Sequence, residues 1–542
     1  MRILVDRIYN QKENILKTAI LIISLLGIGL RIFHLIYNRS LWMDEIYLCS
    51  SFFHLDYLDL AAGTLDYGQK APIGFLWAVK FITNIFGYSE ISFRIIPFIS
   101  GIVSVLLFIK VCRYFLKPEA QLLAVVIFSF APAMIYHSTE IKQYATECLA
   151  TLLALYLFTI YANKTDYKSM LLWAAFGAVL LWFSYSVIFI LTGMAMAIII
   201  NHLLKKNHKS LLINTLPFVT WMISFLINYV FFTYKQKESE WVVYWFKAYD
   251  YFMPFPPVDL QGFKWFGRNL LSMLDYPLGL NWNVNEPLNN MAKLLFTPIV
   301  PLMLLCTGIY SLARKNKEVL GLILIPCLLV LIASGLKLYP LRERFWMFLA
   351  PIFILLIGFG FEYLKCKFRS VKKIGMIVLL LTIAGPIIQS AYFLVYPAKF
   401  YKHKKSFEQE ALSFINRNYK DGDMVYNYWN NYPGYNVYRQ INTYRYTAIQ
   451  GKDYRFEVHD LNAYNQKLKS EFTQFKGAKR LWVVFNTQFT TTINDLVDQP
   501  VWYYKGDVSP VINFERQISS QGKLITKIVY SDLTVCLFEL IH

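Results

Sequence analysis

The chain has 542 residues, of which 56% are hydrophobic and only 16% are charged. This composition, with apolar runs of about 17–22 residues along the chain, excludes an ordinary water-soluble protein and predicts a polytopic α-helical membrane protein. The formal net charge of +19 does not indicate nucleic-acid binding, because the Lys and Arg residues cluster in short loops between apolar runs, as the positive-inside rule predicts. The seven cysteines are scattered, so neither a disulfide framework nor a zinc site is predicted.

Eleven of the apolar runs are predicted to be transmembrane helices. The first, 18–37, follows a basic segment and has no signal-peptide cleavage site after it, so we interpret it as a retained helix with a cytoplasmic N-terminus. The other ten are predicted near 92–111, 120–136, 145–162, 170–184, 186–204, 211–232, 291–312, 318–335, 345–363 and 374–395. This topology places the basic loops, such as 205–209 and 365–373, in the cytoplasm.

The segment 71–87 is apolar but is not counted as a span. It would be about 25 Å long as a helix, and Lys80 lies near its middle, where a charge in lipid costs about 3 kcal/mol. Counting it as a span would also move every later basic loop to the outside. We therefore predict that it lies along the outer face of the membrane, the alternative being that Lys80 faces a protein interior.

The same topology leaves four loops on the outer face, at 38–91, 136–145, 233–290 and 336–344. In the first, the stretch LWMDEIYLCSSFF places Trp42, Ile46 and Cys49 on one helical face, which predicts an amphipathic helix lying in the membrane interface. The third is rich in Trp and Tyr, which is typical of a belt at headgroup level. Its Trp241 and Trp245 are also spaced to stack together on a glycan.

The chain is predicted to divide into a transmembrane domain over 1–395 and a polar domain over 396–542. In the second, strand-like runs such as KRLWVVFN alternate with helix-like runs such as KSFEQEALSFINRNY, so it is predicted to be a soluble α/β domain. Eleven spans from a cytoplasmic start place this domain outside, although the basic run 399–405 argues against that orientation.

Charged residues gather on the predicted outer face, where charge at membrane depth is costly and is usually kept for function. They are Asp44, Glu45, Lys70, Glu140, Lys142, Arg342 and Arg344. Carboxylates beside cations suit a reaction in which a carboxylate deprotonates a hydroxyl or amine nucleophile while Lys and Arg neutralise a departing phosphate. The pattern therefore predicts sugar transfer from a lipid-phosphate donor, whose phosphate lies at headgroup level.

Three stretches carry a resemblance to a known family: SLWMDEIYLCSSF, KAPIGFLWAVKFITNIFGYSEISFRIIPFISG and YHSTEIKQYATE. Over about residues 15–200 the chain resembles GT-C glycosyltransferases of the protein O-mannosyltransferase and lipid A aminoarabinose transferase type. The resemblance continues in YPLRERFWMFLAPIFILLIGFGFEYL. It implies the GT-C fold, a polyprenyl-phosphate-linked sugar as donor and an inverting transfer. It also implies a multi-pass protein of the inner or plasma membrane, with the active site and the α/β domain extracytoplasmic.

The resemblance implies an active-site role for the first acidic residue of the pair, Asp44, as general base or as the carboxylate that orients the acceptor. The predicted catalytic residues are Asp44, Glu45 and Glu140, and the predicted substrate-binding residues are Lys70, Lys142, Arg342 and Arg344. The chain departs from the family pattern at two points. The stretch KAPI has one proline where the family usually has two, and Glu140 and Lys142 stand where many members have Arg or Asp.

Each assignment has a structural alternative. Asp44 and Glu45 are also compatible with solvated charges in the first turn of a helix, Lys70 with a snorkelling anchor, and the late arginines with ion pairs that do no chemistry. Arg94 is interpreted as structural and His137 as a histidine at the membrane interface. For the whole chain, one alternative is an O-antigen ligase or polymerase, which would use arginines and a histidine in late loops. The other is a lipid-linked-sugar transporter, which would need polar groups at the bilayer midplane and repeated halves.

The sequence leaves open the sugar, the oligomeric state and the acceptor, which is a lipid, a glycan or a protein. It also leaves open whether a divalent metal assists, since a metal site would need more converging carboxylates than the pattern provides.

Overall fold

The computed structural model describes residues 2–234, 240–281, 298–368, 372–400, 406–487, 500–506 and 508–540. The helices of the N-terminal part are α1 Arg2–Tyr37, α2 Met43–His54, α3 Tyr57–Ala62, α4 Ile73–Phe86, α5 Glu90–Phe115, α6 Pro118–Phe130, α7 Pro132–His137, α8 Tyr144–Tyr161, α9 Tyr167–Phe183, α10 Val187–Leu204, α11 His208–Asn228, α12 Glu240–Ala248, α13 Leu260–Asp275, α14 Ile299–Lys315, α15 Lys317–Gly335, α16 Ala350–Lys367 and α17 Lys372–Val395. The C-terminal part has the helices α18 Glu408–Asn418, α19 Tyr432–Ile441, α20 Leu461–Phe472, α21 Val501–Tyr504 and α22 Pro510–Ser519, and the strands β1 Met424–Asn427, β2 Ile449–Gln450, β3 Arg480–Asn486, β4 Gly522–Val529 and β5 Leu533–Leu540.

The prediction of a polytopic α-helical membrane protein is confirmed. Over the described ranges, eight helices are long and apolar enough to cross a membrane. Of the other three predicted spans, α6 and α9 are shorter apolar helices, and α14 has 17 residues. The start of the predicted span 291–312 and most of the basic run 399–405 lie outside the described residues.

Helices α14 and α16 pack against each other at backbone distance. A Cβ atom on Gly308 would lie 2.1 Å from the carbonyl oxygen of Leu356, and one on Gly360 would lie 1.9 Å from that of Leu304. Only glycine permits this approach. Small residues at such contacts are typical of membrane proteins, because helices in lipid associate through close van der Waals packing rather than through the hydrophobic effect.

The segment predicted to lie along the outer face forms α4, which contacts α3, α5 and α9. Lys80 is buried, with 9% of its surface exposed, and its Nζ donates to the carbonyl oxygen of Phe52 at 2.7 Å. The charge that argued against a span therefore faces the protein interior, as the alternative interpretation stated.

The C-terminal part is an α/β unit, as predicted, built on a five-stranded sheet of order β2-β1-β3-β5-β4. Strand β1 is parallel to β2 and β3, whereas β5 runs antiparallel to β3 and β4. Successive side chains of β3 point to opposite faces, so that Trp482 and Val484 join one hydrophobic cluster while Leu481 and Val483 join another.

The first of these clusters also contains the outer-loop helix α2. Ile46, Cys49 and Phe52 are buried there together with side chains of α18 and α19, and the amide of Leu41 donates to Tyr438 Oη at 2.8 Å. The expectation of an amphipathic helix lying in the membrane interface is thus corrected, because the apolar face of α2 is covered by the α/β unit.

Candidate active site

One cavity, of about 1960 Å³, brings together all four residues predicted to bind substrate. Apolar side chains from the membrane helices line one part of it, among them Leu181, Ile188, Phe225, Leu329 and Ile332. Charged side chains line another part, namely Asp44, Lys70, Lys142, Arg342, Glu343 and Arg344. Side chains of the α/β unit line the rest, including Glu408, Asn430, Asn431, Asn486 and Asp532. The cavity therefore contains an apolar region, a charged region and a polar region.

Asp44 lies in the first turn of α2 and pairs with Arg344, whose Nη1 is 3.0 Å from Asp44 Oδ2. Both side chains keep some exposure, 26% for Asp44 and 20% for Arg344. A carboxylate at a helix N-terminus is stabilised as an anion by the helix dipole. Asp44 therefore lines the cavity beside a cation.

Arg344 is held by aromatic rings as well as by Asp44. Its guanidinium carbon lies 5.6 Å from the ring centre of Trp42 and 5.7 Å from that of Tyr144. It belongs to the short 3₁₀ helix Glu343–Leu349, which Glu343 enters with a φ of 48°. Contacts with several aromatic rings restrict the direction of the planar guanidinium.

Two lysines complete the charged region. Lys70 follows Gln69 in the loop before α4 and is half-buried, and within the described ranges its Nζ has no hydrogen-bond or ion-pair partner. Lys142 is buried, with 4% exposed, and donates to Gln69 Oε1. Burial lowers the pKa of both ammonium groups, and for Lys142 the nearby Asp44 carboxylate opposes that effect.

Glu45 lies elsewhere than predicted. It is fully buried and accepts two hydrogen bonds from Arg94, from Nε at 3.1 Å and from Nη2 at 3.0 Å. It also accepts from the amides of Ile141, at 3.0 Å, and Trp42, at 3.3 Å. Because neighbours on a helix point about 100° apart, Asp44 lines the cavity while Glu45 ties α2 to α5 and to the segment before α8. The structural interpretation of Arg94 agrees with this contact.

Glu140 also lies behind the cavity wall. It is fully buried and accepts from Trp42 Nε1 at 2.7 Å, and its second oxygen contacts His137 Nδ1. The other ring nitrogen of His137 contacts Tyr276 Oη. Glu140 thus orients the Trp42 ring, which makes a cation–π contact with Arg344. His137, interpreted from the sequence as an interfacial residue, is buried inside this network.

Arg342 lines the cavity but is bound to the Trp- and Tyr-rich loop predicted over 233–290, called here the aromatic loop. Its Nη1 donates to the carbonyl oxygen of Tyr249 at 2.8 Å, and its guanidinium carbon lies 5.5 Å from the ring centre of Tyr251. Trp245 from the same loop also lines the cavity. Of the two late arginines, Arg344 is therefore the one that pairs with Asp44.

Sequence reasoning missed the polar region contributed by the α/β unit. Its Asn-Asn pair stands in YWNNYPGYN, which gives no recognisable catalytic spacing, and its carboxyl groups come from α18 and from the turn before β5. Among the described residues, no group of three or more His, Cys, Asp or Glu is placed to hold a metal ion.

Comparison with known proteins agrees with this architecture. The family described as dolichyl-phosphate-mannose-protein mannosyltransferase matches residues 70–229. The crystal structure of ArnT from Cupriavidus metallidurans bound to undecaprenyl phosphate has a TM-score of 0.50 at 10% sequence identity, covering 96% of this chain and 97% of that one. The Archaeoglobus fulgidus oligosaccharyltransferase tethered with an acceptor peptide gives a TM-score of 0.48 at 13% identity, covering 95% of this chain and 73% of that one. No curated protein matches the chain.

The fold and the spans define a multi-pass integral membrane protein with the GT-C fold. With the family match over 70–229, the resemblance predicted from the sequence is confirmed: the chain resembles the GT-C glycosyltransferases of the mannosyltransferase and ArnT type.

Proposed function

We propose that this chain transfers a sugar from a polyprenyl-phosphate carrier to an acceptor on the extracytoplasmic side of the membrane. The observation that carries the proposal is one cavity in which Asp44 pairs with Arg344 beside Lys70 and Lys142, next to a region lined by apolar membrane helices. A polyprenyl phosphate has the same division, with a hydrocarbon chain at one end and an anion at the other.

The donor phosphate binds at Lys70, Lys142 and Arg344, and the prenyl chain extends along the apolar region. Lys70 carries the strongest case, because its ammonium group is half-buried and is not already neutralised by a described side chain. Desolvated cations strengthen charge-assisted hydrogen bonds to phosphate oxygens. Arg342, which is tied to the aromatic loop, lies at the edge of this group.

In the transfer step, Asp44 takes the proton of the acceptor hydroxyl as its oxygen bonds to the anomeric carbon of the sugar. The bond from that carbon to the phosphate oxygen breaks, and its electron pair leaves with the polyprenyl phosphate. The leaving group gains one negative charge, which Lys70 and Arg344 stabilise. Attack from the side away from the phosphate inverts the anomeric centre.

Glu45 and Glu140 do not contact the substrates in this step; they position other residues of the site. Glu45 fixes the start of α2, where Asp44 projects, and Glu140 fixes the Trp42 ring beneath Arg344. Geometry held by such supporting contacts decides how well a catalytic group works.

A transfer assay tests the proposal directly. Purified protein is incubated with a panel of radiolabelled polyprenyl-phosphate sugars and a membrane extract, and loss of label from one donor to the extract is the expected result. Assistance by a divalent metal, which the sequence leaves open, is tested in the same assay by adding EDTA. If no donor in the panel loses its sugar, the proposal is wrong.

The proposed orientation predicts which positions a membrane-impermeant thiol reagent reaches from outside intact cells. Thr64→Cys and Lys420→Cys, which are exposed in the first outer loop and in the α/β unit, should be labelled. Lys209→Cys and Lys315→Cys, exposed in basic loops, should be labelled only after the membrane is opened.

The control for this labelling is a background in which the exposed Cys306 and Cys366 are replaced by Ser. Labelling of Lys315→Cys in intact cells, together with protection of Thr64→Cys, would invert the topology and remove the site from the extracytoplasmic side.

Loss of the Lys70 ammonium group should weaken donor binding. Lys70→Ala is expected to cost about 1–3 kcal/mol, which is about 5- to 150-fold in the dissociation constant, as for a charge-assisted hydrogen bond at a partly desolvated site. Lys70→Arg should restore only part of the lost affinity, because a planar guanidinium group does not replace a compact ammonium group. Lys420→Ala, an exposed lysine of the α/β unit, is the matched control. Unchanged donor affinity in Lys70→Ala would assign Lys70 to the anchor interpretation.

A further inference from the structure

The α/β unit contributes a polar surface to the cavity that the proposed donor chemistry does not use. This surface, called here the polar wall, consists of Glu408, Asn430, Asn431, Asn486 and Asp532, with Ser406, Thr487 and Ser531 at its edges. It carries two carboxyl groups, and none of its eight residues is a Lys or an Arg. In this it differs from the charged region, which contains lysines and arginines.

Glu408 is the centre of the polar wall. Only 2% of its surface is exposed, and its Oε1 accepts from Asn431 Nδ2 at 2.9 Å. Within the part of the chain that the structure describes, its Oε2 has no hydrogen-bond partner. The carboxyl group lies over Gly434, where an added Cβ would be 2.7 Å from Glu408 Cδ. The glycine thus provides the room in which this buried carboxyl group faces the cavity.

Asn431 is oriented by the same network. Its Nδ2 donates to Asn427 Oδ1 at 3.0 Å as well as to Glu408, and Asn427 Nδ2 in turn donates to Gln450 Oε1 at 3.0 Å. With both amide protons used, Asn431 Oδ1 has no partner among the described residues. The amide oxygen of Asn431 and Glu408 Oε2 thus belong to residues that line the cavity, and neither oxygen has a described protein partner, so both can accept hydrogen bonds from a ligand.

Backbone contacts hold the rest of the polar wall in place. Asn430 exchanges two hydrogen bonds of 2.9 Å with the backbone of Asn486, and Asp532 accepts from the amide of Phe407 at 3.1 Å. The wall is also joined to the chain just before Asp44, because the amide of Gln409 donates to Ser40 Oγ at 3.1 Å. Its position relative to the start of α2 is therefore fixed.

The chemistry of the polar wall selects a class of ligand. Amide and carboxyl groups offer adjacent donors and acceptors that match the hydroxyl groups of a sugar. Burial raises the pKa of Glu408 to about 8, and the Asp532 and Glu410 carboxylates act in the same direction while the Asn431 hydrogen bond opposes it. Burial likewise raises the pKa of Asp532 to about 6. A neutral Glu408 both donates and accepts hydrogen bonds, as sugar hydroxyl groups require. A phosphate-bearing ligand is disfavoured, because the polar wall offers it acidic groups and no cation.

We propose that the polar wall binds the acceptor, and that the acceptor is a neutral, hydroxyl-rich carbohydrate group whose reacting hydroxyl it presents to Asp44. This rests on the proposed glycosyl transfer. It adds to that function the class of acceptor and the surface that recognises it.

Two substitutions test the polar wall by separating acceptor binding from donor chemistry. Asn431→Ala and Glu408→Ala are expected to raise the KM for a neutral oligosaccharide acceptor about 10-fold, as expected for one lost hydrogen bond in a buried site. Donor dissociation constants and the slow hydrolysis of the donor by water should stay within about twofold of the wild type. Glu471→Gln, a partly buried carboxyl group of the same unit that does not line the cavity, is the matched control.

Folding is checked by thermal unfolding in detergent, and Glu408→Ala is measured beside Asn431→Ala so that the test remains decisive when only one of the two variants folds. The acceptor panel contains a neutral oligosaccharide, its phosphorylated counterpart and a Ser/Thr-containing peptide. Unchanged acceptor KM in folded Asn431 and Glu408 variants would overturn the inference, as would faster transfer to the phosphorylated sugar or to the peptide. In all of these outcomes the donor is still cleaved, so that failure of the acceptor inference is distinct from failure of the proposed function, in which no donor is cleaved.

Discussion

Replacing Asp44 with Asn is expected to lower turnover about 10²- to 10⁴-fold while donor binding stays within about threefold of the wild type. The side-chain amide keeps the shape of the carboxylate and a contact to Arg344 but cannot take the acceptor proton. The expected loss is that of a general base. The measurement compares transfer rates at saturating donor, with donor binding measured separately.

The matched control is Asp59→Asn, which removes a carboxylate from α3 in the same outer loop and outside the cavity. It should leave turnover unchanged. If Asp44→Asn turned over within about threefold of the wild type, the assignment of Asp44 as general base would be wrong. If the wild-type protein moved the lipid-linked sugar across the membrane without ever cleaving the sugar–phosphate bond, the transporter alternative would replace the transferase.

The parts of the fold that depend on local pattern were predictable. Hydropathy predicts membrane helices because a spanning segment must bury about 20 residues in lipid. The short, continuous apolar run in KRLWVVFN predicts β3, whose side chains pack into two hydrophobic clusters. The cover over α2 was not predictable, since it arises from contacts such as that between Leu41 and Tyr438, nearly 400 residues apart in the chain. An apolar helical face has the same pattern whether lipid or protein covers it.

The candidate site shows the same division. Asp44, Lys70, Lys142, Arg342 and Arg344 share one cavity, as their placement on a common membrane face predicted, although their chemical roles remain predictions. The sequence could not separate Asp44 from Glu45, because adjacency in the chain says nothing about which of them meets a buried arginine. The network of Trp42, Glu140, His137 and Tyr276 joins three segments of the chain, so spacing within one segment could not predict it.

The second large effect concerns stability rather than turnover. Arg94 and Glu45 form a buried ion pair, with exposures of 1% and 0%, and removing one partner of such a pair typically costs about 3–5 kcal/mol because an unpaired charge stays buried. Glu45→Leu is expected to lower the free energy of unfolding by about this amount, whereas Arg94→Met should cost less, because Arg39 Nη2 remains 3.7 Å from Glu45 Oε2. Asp44 and Arg344 are partly exposed, so losing that ion pair should cost only about 0–1 kcal/mol.

Unfolding by SDS in mixed micelles measures these differences, and a double variant measures the coupling. Each single variant leaves a buried charge without its main partner, and that charge disappears when both residues are replaced. Glu45→Leu combined with Arg94→Met should therefore be more stable than the sum of the single losses predicts, by about 0.5–3 kcal/mol. The amides of Ile141 and Trp42 still lose their acceptor in that variant, so full stability should not return. A folded Glu45→Gln protein with wild-type stability and a turnover as low as that of Asp44→Asn would contradict the positioning role and return Glu45 to the catalytic residues.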